Sequence, residues 1–249
     1  MPASYKITEF STEYHGYKIS ADRWHTKGQL EEVILLHGGG SSSKAGFIKL
    51  RETLINMGLG SLSFDFLGHG QSEGNLEGFS LKDRVNQAKA IINSVSSGNS
   101  KINIMGFSMG AYIATLLTQY YKVSRLGLFI PAMYSREAYE VPFGSKFSKV
   151  IRKPKNWLDS DGFQIIKNFH GNLLIVSAEN DEIVPAIIPE LLYKNSFNSE
   201  WKHHYIIPKG THNLSKLAYD APHHRYSLLH NIFNWYSYQI MANKERSHD

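Results

Sequence analysis

Short apolar runs alternate with amphipathic stretches along most of this chain, and the alternation predicts its elements. Val33 to His37, Gly60 to Asp65, Lys101 to Phe107, Arg125 to Ile130, Asn172 to Ala178 and Lys202 to Ile207 read as buried strands. Ala45 to Met57, Leu81 to Val95 and Ala111 to Tyr120 read as helices, the second with Ser80 as N-cap and Asp83 in its first turn. Residues 5 to 24 alternate polar and apolar around His15-Gly16, which predicts an antiparallel hairpin. Strands and helices that take turns favour an α/β fold with a mostly parallel sheet and helices on both faces, because parallel strands need crossover connections. No repeat, low-complexity tract or linker divides the chain, so residues 1–249 are expected to form one domain.

Chemistry gathers at the carboxyl ends of the expected strands, where open parallel sheets bind ligands. Gly106-Phe107-Ser108-Met109-Gly110 lies between a strand and a helix-like stretch. Small residues there let the strand reverse sharply, leaving the Ser108 hydroxyl exposed with a helix N-terminus behind it. His37-Gly38-Gly39-Gly40 closes an earlier strand. Acyl transfer from a serine builds negative charge on the substrate carbonyl oxygen, and a backbone N–H aimed there lowers the barrier by roughly 2.7–4 kcal/mol. The N–H groups of Gly39 and Met109 are the expected donors. A phosphate loop is the alternative for the glycines, but Ser41-Ser42-Ser43-Lys44 lacks the Gly-Lys-Ser/Thr order that such a loop needs.

Two further loops supply an acid and a base. Leu173 to Ala178 ends in Glu179-Asn180-Asp181-Glu182-Ile183-Val184-Pro185, where a carboxylate at the strand edge can orient an imidazole and stabilise its protonated form. Glu179 and Glu182 are close rivals to Asp181, and Asp159 and Asp161 come from an earlier loop. Among 12 histidines, His212 stands apart by position, after the final strand and before the last helical stretch. His203, His204, His223, His224 and His230 are expected to be surface or core fillers. The order Ser108, Asp181, His212 separates this arrangement from the two main serine protease orders.

With these motifs in that order, the chain resembles an alpha/beta hydrolase over essentially its whole length. Asp65-Phe66-Leu67-Gly68-His69-Gly70-Gln71-Ser72 resembles a turn of the same family, in which Asp65 and Ser72 shape the backbone and His69 is structural. The continuation through Glu73-Gly74 and Phe79 to Val95 is similar to the cinnamoyl and feruloyl esterase branch. The Asp-x-Ile-Val-Pro pattern at Asp181 resembles the acid loop of many serine hydrolases. The resemblance also implies a cap insertion at about residues 131–170, lying over the site. Its Tyr134, Tyr139, Phe143, Phe147 and Trp157 either line an acyl or aryl pocket or pack the cap onto the core. Its Lys146, Lys149, Arg152, Lys153 and Lys155 form either a solvated face or an attractor for an anionic acyl donor.

Composition narrows the chemistry. At 249 residues, with 42% hydrophobic and 20% charged positions, the chain can bury one sizeable core. A formal net charge of +5 without a basic, aromatic-laced motif does not argue for nucleic acid. The absence of cysteine excludes disulfides, thiolate metal sites and a cysteine nucleophile. No apolar run reaches the roughly 18 residues that a membrane helix needs, and no apolar leader core follows Met1, so a cytoplasmic location is expected. The resulting expectation is a serine esterase acting on a small-molecule ester through an acyl-enzyme, with no metal or organic cofactor. Thioesterase or amidase activity uses the same groups, and a noncatalytic binding protein on the same fold is a third reading.

Overall fold

A computed structural model describes residues 4–29, 31–96, 100–214 and 226–237. Eight strands form one sheet in the order β1-β2-β4-β3-β5-β6-β7-β8. β1 (Tyr5–Tyr14) and β2 (Tyr17–Thr26) are the expected hairpin, turning at His15 and Gly16, both at positive φ, which matches the twist of the flanking strands. β2 then runs antiparallel to β4 (Leu59–Phe64). β4, β3 (Glu31–Leu36), β5 (Ile102–Phe107), β6 (Val123–Phe129), β7 (Asn172–Ala178) and β8 (Trp201–Ile207) are parallel to one another.

Alternation along the central strands divides the core into two layers. Ile34, Leu36, Ile104, Leu173 and Ile175 face one side, with α2 (Leu81–Val95) and α3 (Met109–Leu117). Val33, Leu35, Met105, Leu174 and Val176 face the other, with Leu54 of α1 (Ile48–Asn56) and Trp235 in the helical residues 226–237. Both faces are covered, which is why these strands read as continuous apolar runs. α2 has its expected bounds, fixed by a capping box in which Ser80 Oγ accepts from Asp83 N–H and the Asp83 carboxylate accepts from Ser80 N–H.

Two helix starts differ from expectation. The stretch read as one helix from Ala45 opens as a short 3₁₀ turn, Lys44–Phe47, before α1 begins. α3 starts at Met109 rather than Ala111, because the chain turns helical directly after Ser108.

The chain places β4 on one side of β3 and then crosses to place β5 on the other. The sheet order therefore reverses between β3 and β5, and a crevice opens beyond their carboxyl ends. The segment between β6 and β7 contains two helices, α4 (Ser145–Ile151) and α5 (Gly162–Ile165), with short 3₁₀ turns around them. Its aromatic residues pack inward: Tyr134 lies edge-on to Tyr112 at 5.2 Å, and Phe143 to Phe147 at 4.8 Å. Its basic run gains an acid that the linear reading did not pair with it, because Lys153 Nζ bonds Glu137 at 2.6 Å. Among the described residues no helix is long and apolar enough to cross a membrane.

Candidate active site

Ser108 occupies the turn between β5 and α3 at φ 52 and ψ −113, a conformation that costs a non-glycine residue about 1–3 kcal/mol. The flanking glycines explain how the turn is held. A Cβ on Gly106 would collide with the carbonyl of Gly110, and one on Gly110 with the carbonyl of Leu36 at the end of β3. Backbone bonds complete it: Ser108 N–H donates to Phe129 O at 2.9 Å, and Ala132 N–H donates to Ser108 O at 3.3 Å.

The loop after β7 brings Asp181 to His212, and the loop after β8 brings His212 to Ser108. His212 Nδ1 lies 2.9 Å from both carboxylate oxygens of Asp181, and Nε2 lies 3.0 Å from Ser108 Oγ. Asp181 Oδ1 also accepts the N–H groups of Ile183 (2.9 Å) and Val184 (2.8 Å), so the carboxylate is fixed from its own loop. Burial pushes the Asp181 carboxyl up. The His212 hydrogen bond and the two backbone N–H groups outweigh it and hold the acid below the usual carboxylate range.

The rival acids are elsewhere. Glu179 accepts Lys209 N–H at 2.6 Å, Asp161 pairs with Arg136 at 2.6 Å, and Glu182 and Asp159 are exposed. Of the other histidines, His204 Nε2 meets Ser177 Oγ at 2.8 Å and His230 meets Asn234 at 3.0 Å. His223 and His224 lie outside the described residues.

Gly39 and Met109 stand on two sides of the same elbow. A Cβ on Gly38 would lie 3.4 Å from Ser108 Cβ, so the glycine loop rests directly against the serine. Neither Gly39 N–H nor Met109 N–H has a backbone acceptor among the described residues. His37 has no role of its own in the linear pattern, and the structure supplies one. Phe66 N–H donates to His37 Nε2 at 3.0 Å, which leaves the ring hydrogen on Nδ1, and Nδ1 donates to Gly38 O at 2.7 Å. The Gly38 carbonyl and the Gly39 N–H belong to one trans peptide and point in opposite directions. Holding the carbonyl therefore aims the N–H away from His37. Burial first, and then the neighbouring His69, pushes His37 down to about 3, so the ring is neutral at ordinary pH.

His69, read as structural, bonds Ser42 O through Nδ1 at 3.0 Å. Asp65 shapes its turn by accepting Lys44 N–H at 2.7 Å and Gln71 N–H at 2.8 Å. A serine hydroxyl, an imidazole held in one orientation and two open N–H donors on one crevice can perform acyl transfer through a tetrahedral oxyanion.

A family model described as "Serine aminopeptidase, S33" matches residues 29–162. An uncharacterized protein of Mycobacterium tuberculosis is 25% identical over 191 residues, covering 76% of this chain; the chain spans 66% of that relative's length. In overall structure the chain is similar to the ferulic acid complex of Est1E from Butyrivibrio proteoclasticus. The TM-score is 0.64 at 18% identity, covering 90% of this chain and 99% of that one. It is also similar to a thioesterase domain from the curacin biosynthetic pathway, with a TM-score of 0.65 at 15% identity and the same coverage of 90% and 99%.

Proposed function

The chain belongs to the serine aminopeptidase S33 family of alpha/beta hydrolases, and on that premise we propose that it is a serine esterase. In this reading it cleaves carboxylic esters of small molecules with Ser108 as nucleophile, His212 as base and Asp181 as the acid that orients it. The observation that carries the reading is the 3.0 Å approach of His212 Nε2 to Ser108 Oγ, with Nδ1 held by Asp181 at 2.9 Å.

His212 takes the hydroxyl proton as Ser108 Oγ bonds to the ester carbonyl carbon. The carbonyl electron pair moves onto oxygen, where the N–H groups of Gly39 and Met109 each contribute roughly 2.7–4 kcal/mol of stabilisation. The intermediate collapses, the C–O bond to the alcohol breaks, and protonated His212 delivers its proton to the leaving oxygen. Water, deprotonated by His212, then attacks the acyl-enzyme, the bond from the acyl carbon to Ser108 Oγ breaks, and protonated His212 returns its proton to Ser108 as the acid leaves. Asp181 stays ionised throughout and balances the imidazolium. No metal or organic cofactor enters any step.

Residues 131–170 act in this account as a cap on a domain spanning the whole chain. Thioester and amide hydrolysis use the same groups, because the pocket chooses the leaving group.

Pre-steady-state turnover of a p-nitrophenyl ester tests the reading. The expected result is a burst of one equivalent of nitrophenol that Ser108→Ala abolishes while keeping the native fold. A burst retained in Ser108→Ala overturns it.

A further inference from the structure

Behind the turn that follows β4 lies a buried cation that the proposed reaction does not use directly. Arg84, in the first turn of α2, is 0% exposed, and among the described residues no carboxylate forms a salt bridge with it. Its guanidinium is enclosed by the rings of Phe143 (5.0 Å), Phe66 (5.2 Å) and Phe79 (5.9 Å), and its Nε and Nη2 have no hydrogen-bond partner among the described residues. A charge that no carboxylate contacts, held in an apolar cage with only the adjacent Asp83 acting on it from a distance, is unfavourable for stability, and apolar residues of similar volume often replace buried ion pairs without loss. Local rules are broken in this way most often where a site needs the group.

The hydrogen bonds of Arg84 lead toward the site. Nη1 donates to Leu67 O at 2.7 Å and to Gln87 Oε1 at 3.0 Å, and Gln87 Oε1 accepts Leu67 N–H at 3.0 Å. Both polar groups of Leu67 are therefore clamped by α2. The adjoining residue, Phe66, donates its N–H to His37 Nε2, and His37 Nδ1–H holds the Gly38 carbonyl.

We propose that Arg84, with Gln87, is a positioning residue for the oxyanion site: it fixes the Phe66–Leu67 backbone, which fixes the tautomer and orientation of His37, which aims the Gly39 N–H. The proposal rests on the serine hydrolase reading above. Burial also pulls the guanidinium down to about 9, which leaves it charged at neutral pH, and a charged donor makes the stronger hydrogen bond to the Leu67 carbonyl.

The test compares Arg84→Met and Gln87→Met with the parent on an activated ester, on a trifluoromethyl ketone that forms a tetrahedral adduct, and on a fluorophosphonate. A misaligned donor weakens the transition state more than the bound substrate, so kcat is expected to fall ~10–100-fold with KM changed less than about 2-fold. Trifluoromethyl ketone affinity is expected to fall by the same factor as kcat. The double variant should be no slower than the slower single variant, because both residues act through one backbone segment. If Arg84→Met does not fold, Gln87→Met carries the same comparison. Unchanged kcat and ketone affinity in a folded variant, or equal losses in KM and kcat, overturn the proposal. Failure of the parent itself to label at Ser108 would instead overturn the hydrolase reading.

Discussion

Ser108 is held in a backbone conformation that an isolated serine avoids, and its neighbours bear the strain: glycine at 106 and 110, the Phe129 carbonyl on its N–H, and Met109 opening a helix behind it. At this scale Asp181 has one measurable task in the proposed reaction. Its carboxylate accepts from His212 Nδ1, and Asp181→Asn would offer that nitrogen an amide able to select the wrong tautomer. The expected result is a loss in kcat of ~10³–10⁴-fold with the fold retained. Steady-state kinetics alongside circular dichroism checks it, and a loss below tenfold would exclude the orienting role. The residues of the candidate site were legible because each follows a strand and brings a distinctive chemical group. His37 was legible only as part of a glycine motif. Its role depends on Phe66, 29 positions away, donating to its ring, and no local pattern encodes that contact.

Between elements, the contacts of one backbone with another decide the geometry. α3 approaches β3 so closely that a methyl group on Gly110 would strike the Leu36 carbonyl. Gly110→Ala is therefore expected to destabilise the protein by about 3 kcal/mol or more and to displace Ser108. Urea unfolding with an activity assay measures both effects, and a variant of parental stability would contradict this packing. α2 shows how an element can be read correctly while its meaning is missed. Its bounds and Ser80 cap follow from the amphipathic pattern. Arg84 lies three residues after Leu81 and four before Ala88, on the same stripe as Val85, Ile91 and Ile92, all buried. A charged residue inside an apolar stripe was the available signal. What it touches depends on Phe143 arriving from the segment after β6, a long-range event. The helix read from Ala45 lost its first turn to 3₁₀ geometry for a similar reason: Lys44 N–H is held by Asp65 from the next loop.

For the whole molecule, the reversal of sheet order between β3 and β5 sets the glycine loop and Ser108 side by side, while the loops after β7 and β8 bring Asp181 and His212 to the same end of the sheet. The alternation of elements announced this architecture. The antiparallel docking of β2 on β4 was not legible, because it joins segments whose own patterns specify a strand but not a partner. Burial of neutral imidazoles gives the molecule a pH signature. His37 falls from an ordinary value near 6.5 to about 3, so below pH 6.5 the unfolded chain binds a proton that the native state refuses. The stability is complete above that pH and declines as pH falls, by about 2 kcal/mol between pH 7 and pH 5 from His37 alone. His69 and His204, also lowered chiefly by burial, act in the same direction. Asp181 has the opposite sign of charge. Its contribution is present above the ordinary carboxylate range and is lost only as pH falls through its depressed folded value, outside this window. Urea midpoints at pH 7 and pH 5 provide the check, and equal stabilities would contradict burial of His37.

The central claim is that Ser108 is an activated nucleophile. Mass spectrometry of the intact protein after exposure to a fluorophosphonate, followed by peptide mapping, tests it most directly. The account predicts one adduct per chain, on Ser108, and none on Ser108→Ala. A folded protein that takes up no adduct, or carries it on another serine, would contradict it.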